Sequence, residues 1–392
     1  MSTMSFTTVS LRIVAIVSFF WYLYIWVQYA DYQYENFFWD LNIYDRAIND
    51  LGAGINPYRL DVGGLFIYHP LVLNTMNWVN HFIKLKYFLV SIYCLATGFF
   101  LFQVQMLFKE AYIKSKDGNL ANNLIEILIC AMAFGGVGVI SVLTGNITIY
   151  LHMLLFGLML GYVRTNQNSY LYSYSFLLPL IALIKPYFLS YLLLFYLFKR
   201  KKIIYLCILW ACLVFVMTWF YSVIFDPIRY GDFLNALKQQ IQNGGDVGYS
   251  FYGVLRVFNI SDPVLLAIHG LVSLFLIWLG LFSIPKNLEI ENNLVAKFLL
   301  ATFVIVIINP RMKEYDLCIG VVSFFLLLRG TCPEYKKIML IGLLCSISIW
   351  GNAFSKIIFP QFFLNGNVWQ IIAIIMMMFF YFGLPNRKPR IR

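Results

Sequence analysis

The chain has 392 residues, of which 61% are apolar and only 12% charged. Soluble domains run at roughly 45–50% apolar and about 25% charged, so no soluble fold hides this much apolar surface and the composition suits a chain dissolved in lipid. The formal net charge of +11 does not imply a nucleic-acid partner, because the basic residues of a membrane protein gather in cytoplasmic loops and set its orientation.

The apolar runs are long, continuous and rich in Leu, Ile and Phe. They read as helices; a transmembrane barrel shows ten-residue alternation instead. The expected fold is all-α, one polytopic domain over 1–392 with about twelve spans. The first run, 10–29, lacks a basic leader and a small-residue cleavage site, so it reads as a retained span. A long segment follows, 30–85. In it Asp40 stands where an N-cap belongs. Leu41, Tyr44, Ile48 and Leu51 then recur at helical spacing. Gly52 and Gly54 end that helix, and Asn56-Pro57-Tyr58 turns the chain. The apolar face of this helix is expected to lie flat at the membrane interface. Tyr68-His69-Pro70 marks a further turn.

Spans are next expected at 86–108, 121–142 and 147–163, the last preceded by the tight turn Gly145-Asn146. The stretch 171–198 reads as one long helix or as two short ones, 171–184 and 187–198, broken at Lys185-Pro186. Proline disfavours helix at the residue before it, and a lysine in mid-membrane is costly. A span at 203–225 leads into a second long segment, 226–262, where Phe233, Leu234, Leu237 and Ile241 make one helical face and Gly244-Gly245 ends it. Spans at 263–284, 294–308, 315–329, 338–354 and 366–384 complete the chain. The dense junction Asn309–Asp316 separates two of them.

Charge chooses between the two readings of 171–198. With the break, the loops carrying Lys109/Lys114/Lys116, Arg164, Lys199–Lys202, Arg329/Lys336/Lys337 and Arg387–Arg392 all share a side. Most of the 29 Lys and Arg then lie inside and most of the 18 acids outside, as the positive-inside rule prefers. Both termini are cytoplasmic in this reading. The long loops 30–85 and 226–262, and the junctions at Gly145, Lys185 and Asn309, are extracytoplasmic.

The seven cysteines form no CxxC pair or disulfide framework, and the four histidines show no metal spacing. No metal or cofactor is expected. Asp40 and Asp45 are the candidate catalytic acids, since a carboxylate at a wet membrane surface takes a proton from an incoming hydroxyl. A plain helix cap for Asp40 and a solvated face for Asp45 are the bland alternatives. Arg311 and Lys313, two residues apart, suit a phosphate, with Lys185 and Arg256 as further cations; headgroup anchoring is the alternative for each. Tyr44, Asn56, Tyr58, Tyr68, His69, Asn146, Glu314, Tyr315 and Asp316 are candidate substrate contacts. Acids and cations thus converge on one face. A transporter would place ionisable groups at mid-membrane on broken helices, whereas Glu126, the main acid inside a span, lies near its cytoplasmic end.

Asp40-Leu41-Asn42-Ile43-Tyr44, Ala47, Leu51, Gly54, Asn56-Pro57-Tyr58 and Phe66–Pro70 resemble the first outer loop of glycosyltransferase family 87, polytopic enzymes of the GT-C class. Gly145-Asn146, Ile184-Lys185-Pro186-Tyr187, the looser Ser250/Gly253/Arg256 and Asn309-Pro310 follow in the order of that family's motifs. The resemblance covers about residues 10–330. It implies a GT-C fold, a polyprenyl-phosphate sugar donor used on the outer face, a glycan or glycolipid acceptor, inversion at the sugar carbon, and a catalytic Asp at Asp40. That family includes the polyprenyl-phosphate-mannose-dependent α-mannosyltransferases of bacterial cell envelopes, so the resemblance implies mannose or another hexose or pentose as the sugar. Many members carry Trp-Asp/Glu-His after the late Pro; here Arg311–Asp316 holds no His. A flippase or transporter of a lipid-linked saccharide, or a non-catalytic envelope assembly protein, is the rival reading.

Overall fold

The structure is a computed structural model. It describes residues 6–33, 38–59, 66–109, 128, 130–134, 137–197, 201–242, 252, 260–282, 293–310, 312–331 and 335–354. Every regular element among them is helical. In chain order these are α1 (Phe6–Gln33), α2 (Trp39–Gly52), α3 (Pro70–Phe82), α4 (Leu85–Lys109) and α5 (Val137–Thr144). Next come α6 (Ile147–Thr165), α7 (Asn168–Ile184), a 3₁₀ helix (Pro186–Leu197), α8 (Lys201–Phe225) and α9 (Pro227–Gln242). Last are α10 (Asp262–Ile277) with a π turn (Trp278–Phe282), α11 (Asn293–Ile307), α12 (Glu314–Thr331) and α13 (Tyr335–Phe354).

Four of these are long and apolar enough to cross a membrane: Leu85–Phe108, Ile147–Thr165, Lys202–Phe225 and Asp262–Leu281. The chain is read as a membrane protein on that ground. Shorter apolar helices cover Thr7–Trp21, Asn168–Ile184, Pro186–Leu197 and Leu294–Ile307. The expected span at 366–384, and residues 121–127, 129, 135 and 136 of that at 121–142, lie outside the described residues.

The chain forms two compact units. The first comprises Met1–Glu35, Phe102–Val142 and Gly248–Arg392. Its core is the pair α11 and α12, whose described side chains are mostly buried from Val295 to Ile307 and from Asp316 to Leu328, as expected for helices that are apolar all round. Phe303 stacks on Phe324 with centroids 4.6 Å apart. α13 is tied to α1 where Lys336 Nζ donates to Thr8 Oγ1 (2.7 Å).

The second unit comprises Asn36–Leu101 and Leu143–Val247. It holds the expected break. α7 stops at Ile184, Lys185 is extended (φ −143°, ψ 112°), and the 3₁₀ helix starts at Pro186. Tyr174 Oη donates to the Tyr191 carbonyl (3.0 Å), and its ring meets Phe195 at 5.6 Å. In one straight helix residues 174 and 195 would sit about 30 Å apart, so the chain folds back at Lys185-Pro186. α8 packs on α7 through Cys207 and Trp210, each bonded to an α7 carbonyl. Its far side exposes Tyr205, Leu209, Val216 and Trp219.

Two expectations about the long segments change. The apolar stripe of α2 does not lie open on the membrane: Leu41, Tyr44, Ala47 and Ile48 are buried in the protein. Periodicity reports that one face is covered, not what covers it. In the second segment the helix begins earlier, at Pro227. Leu234 is exposed, while Ala236 is buried. The packed side runs through Phe233, whose ring contacts Tyr58 and His69. The side chain of Ile241 and the pair Gly244-Gly245 lie outside the described residues.

Candidate functional site

Asp40 is not the cap of its helix. The capping position falls on Phe38, in the left-handed region at φ 64°, with its N–H bonded to the Leu143 carbonyl (2.8 Å). Asp40 therefore sits inside the first turn, where the positive end of the helix dipole favours a carboxylate. It is only 9% exposed. The turn that receives Phe38 needs a glycine. Gly145 has φ +65°, and a Cβ there would stand 2.7 Å from Phe38 Cδ1. Asn146 then caps α6, its Oδ1 accepting from Thr148 N–H (2.9 Å). Asn146 is buried in that role.

Three tyrosines lock this corner. Tyr44 and Tyr68 share a hydroxyl–hydroxyl bond (2.9 Å). Tyr44 Oη also accepts from Ile147 N–H (3.4 Å). Tyr58 Oη donates to the Tyr68 carbonyl (2.7 Å), and Phe66 packs edge-on against Tyr44 and Tyr68. Burial, with Tyr68, Asp40 and Tyr93 nearby, holds the Tyr44 phenol well above its usual range. It therefore stays a neutral hydrogen-bonding group beside the Asp40 carboxylate. Asp45 is half-buried on the same helix. Burial raises its pKa, and Lys86 and Lys84 pull it back down. It is not the freely solvated acid that a bland reading of the sequence makes it.

His69 caps α3: Leu71 N–H donates to its Nδ1 (3.1 Å). The proton must then sit on Nε2, which donates to Ser222 Oγ (3.1 Å). Burial lowers the His69 pKa to about 4, so the ring is neutral at neutral pH. Asn56 makes an Asx turn with Tyr58 N–H (3.2 Å), and its Nδ2 donates to Asp232 Oδ2 (2.6 Å). α9 is fixed further by Arg229. Its Nε donates to Asp226 Oδ1 (3.0 Å) and its Nη1 to Asn74 Oδ1 (3.2 Å). Asn74 Nδ2 in turn donates to Tyr221 Oη (3.0 Å).

Lys185 stands half-buried at the fold-back between α7 and the 3₁₀ helix. Just past it, His152 of α6 bridges two hydroxyls, Tyr191 at Nδ1 (2.6 Å) and Tyr187 at Nε2 (3.0 Å).

The late junction belongs to the first unit. Asp316, 1% exposed, occupies the third position of α12. Its Oδ2 accepts from Lys313 N–H (2.9 Å) and from Asn309 Nδ2 (3.4 Å). That is the backward half of a capping box, so this acid serves the helix start. His269 of α10 bonds the Ile308 carbonyl through Nε2 (3.0 Å). Lys313 and Tyr315 are half-buried. Arg256 and Arg311, and the side chain of Glu314, lie outside the described residues.

Of the residues singled out in the sequence, the second unit thus gathers Asp40, Tyr44, Tyr58, Tyr68 and Asn146 into one corner. Asn56 and His69 are drawn toward α9, and Asp45 toward Lys84 and Lys86. Sequence reasoning missed His152, Arg229 and the two lysines. His152 is hidden in an apolar run, and Arg229, beside its near partner Asp226, reaches Asn74, 155 residues away. Among the described residues no three His, Cys, Asp or Glu side chains gather closely enough to hold a metal ion. No family model, no curated protein and no solved structure matches this chain.

Proposed function

We propose that this protein is an inverting membrane glycosyltransferase of GT-C type, with about twelve spans and both termini cytoplasmic. It moves a sugar, mannose or another hexose or pentose, from a polyprenyl-phosphate donor to a glycan or glycolipid hydroxyl. The reaction takes place on the extracytoplasmic face of the cell membrane. The observation that carries this reading is Asp40, a buried carboxylate in the first turn of a short helix whose Tyr44 is hydrogen-bonded to Tyr68 and to the Ile147 N–H. The ordered motifs that resemble glycosyltransferase family 87 point to the same residue.

In this scheme the acceptor O–H gives its proton to Asp40. The acceptor oxygen attacks the anomeric carbon, the carbon–oxygen bond to phosphate breaks, and the lipid phosphate leaves with the electron pair. Attack opposite the leaving group inverts the centre. Tyr44, neutral and hydrogen-bonded, fixes the helix that carries the base. Lys185 is the candidate ligand for the donor phosphate in this unit. Arg256, Arg311 and Lys313 are assigned to phosphate on their sequence pattern.

The test is sugar transfer from radiolabelled polyprenyl-phosphate sugars by the purified full chain in detergent. Asp40→Asn keeps shape and removes the base, and general-base loss slows transfer by roughly 10²–10⁴. Near-normal turnover in a well-folded Asp40→Asn variant would move the role to Asp45. Absence of transfer by the wild-type chain from every hexose and pentose donor would overturn the enzymatic reading.

A further inference from the structure

The face of α2 expected at the membrane is covered by protein; another corner of the same unit is open. On α3 the buried residues are Pro70, Leu73 and Met76. At about 100° per residue, Trp78 and Phe82 lie on the opposite flank. They are 63% and 75% exposed, with ring centroids 5.0 Å apart. Exposed Ile83 and Lys84 connect to α4, which opens with exposed Lys86 and Tyr87. The open apolar strip then continues along α4 through Val90 and Leu95 (73% exposed). That strip is one side of a helix long and apolar enough to span a membrane, so its cover is hydrocarbon. Aromatic rings and lysines at the first turn of such a span mark the depth of the lipid headgroups. The Lys86 ammonium lies 5.3 Å over the Tyr87 ring, and the acid that faces Lys84 and Lys86 is half-buried Asp45 on α2.

We infer that the α3–α4 corner is an in-plane bilayer anchor. Trp78 and Phe82 enter the headgroup–acyl boundary, and Lys84 and Lys86 bind the phosphates of anionic phospholipids. This rests on the membrane character of the chain and not on the proposed transfer reaction. It fixes the depth of α2: a helix whose acid lies in the field of headgroup-level lysines works at headgroup level. An amphiphilic substrate with its polar head at that depth would need no lifting from the bilayer.

The experiment places the full chain in nanodiscs of phosphatidylcholine brominated near the headgroup or near the chain end. Wild-type tryptophan fluorescence is compared with Trp78→Phe, a conservative change at an exposed site. Trp78 emission, taken as the difference, is expected to be quenched more by shallow bromines than by deep ones. Equal quenching in both proteins, or quenching of Trp78 by aqueous iodide alone, would overturn the anchor. In the second arm, spin-labelled phosphatidylglycerol and phosphatidylcholine compete for the protein surface. Lys84→Gln with Lys86→Gln is expected to reduce the anionic preference by about fivefold for each lysine, the equivalent of ~1 kcal/mol each. Unchanged preference would remove the headgroup contacts. A disulfide-linked dimer of Trp78→Cys in nanodiscs would show that a second copy, not lipid, covers the corner.

Discussion

Asp40 and Asp45 are five positions apart on one short helix, yet their surroundings differ. Asp40 is buried within electrostatic reach of Tyr44 and Tyr93, and Asp45 lies in the field of Lys86 and Lys84. The sequence placed an acid at this helix start but misjudged its seat by two positions, because a bulky Phe38 in the left-handed region is not a cap that composition suggests. Lys185, half-buried at the fold-back, is the residue at which the phosphate assignment can be tested in the described structure. Lys185→Ala is expected to raise KM for the lipid-phosphate donor in transfer assays, with the rate at saturating donor falling less. Unchanged donor kinetics would make it a turn residue. His69 gives a prediction about pH. Its folded pKa, about 4, lies below its usual 6.5. Protonating Nδ1 abolishes the acceptor that caps α3. The stability it contributes is therefore complete above about pH 6.5 and is lost as pH falls toward 4. Thermal unfolding across that window should show the loss in the wild type and a flatter profile in His69→Asn, which keeps an acceptor that does not titrate.

At the scale of elements, the stripe Leu41, Tyr44, Ile48 was legible from spacing alone, and the break at Lys185-Pro186 from proline chemistry and charge. What those stripes touch was not legible. An apolar face is equally well covered by lipid or by a tyrosine corner, and only the fold-back of residues 66–68 and 145–147 onto α2 decides it. The turn before α6 is the element on which that corner depends. Gly145→Ala forces a side chain into the left-handed region, at about 1–2 kcal/mol, and drives its Cβ into the Phe38 ring. A lower melting temperature in detergent is expected, by several degrees or more. Adding Phe38→Ala should recover the part due to the clash and leave the backbone part. A Gly145→Ala protein as stable as wild type would mean that the turn relaxes freely.

At the scale of the molecule, composition and hydropathy were enough to place the chain in a membrane. They could not show that residues 36–101 and 143–247 form one unit while 102–142 joins the termini in another, because no local signal states which apolar segments pack together. Topology can be tested independently of chemistry. In the proposed orientation Lys201, at the start of α8, is cytoplasmic. A cysteine placed there should resist impermeant thiol reagents added to intact cells and react once the cells are opened. Efficient labelling from outside would reverse the orientation of α8 and with it the side on which Asp40 works.

The fold-back at Lys185 also has arms that match in ångströms though not in residues. The 17 residues of α7 rise about 1.5 Å each and cover about 26 Å. The 12 residues of the 3₁₀ helix rise about 2.0 Å each and cover about 24 Å. Tighter winding lets the shorter arm keep pace with the longer, so the chain returns to the level it left. Were Pro186–Leu197 wound as an α-helix, it would end about 6 Å short. Winding here does the work that extra residues would otherwise do, and a one-residue insertion in this arm would turn Phe188, Tyr191 and Leu194 off their common line instead of merely lengthening it.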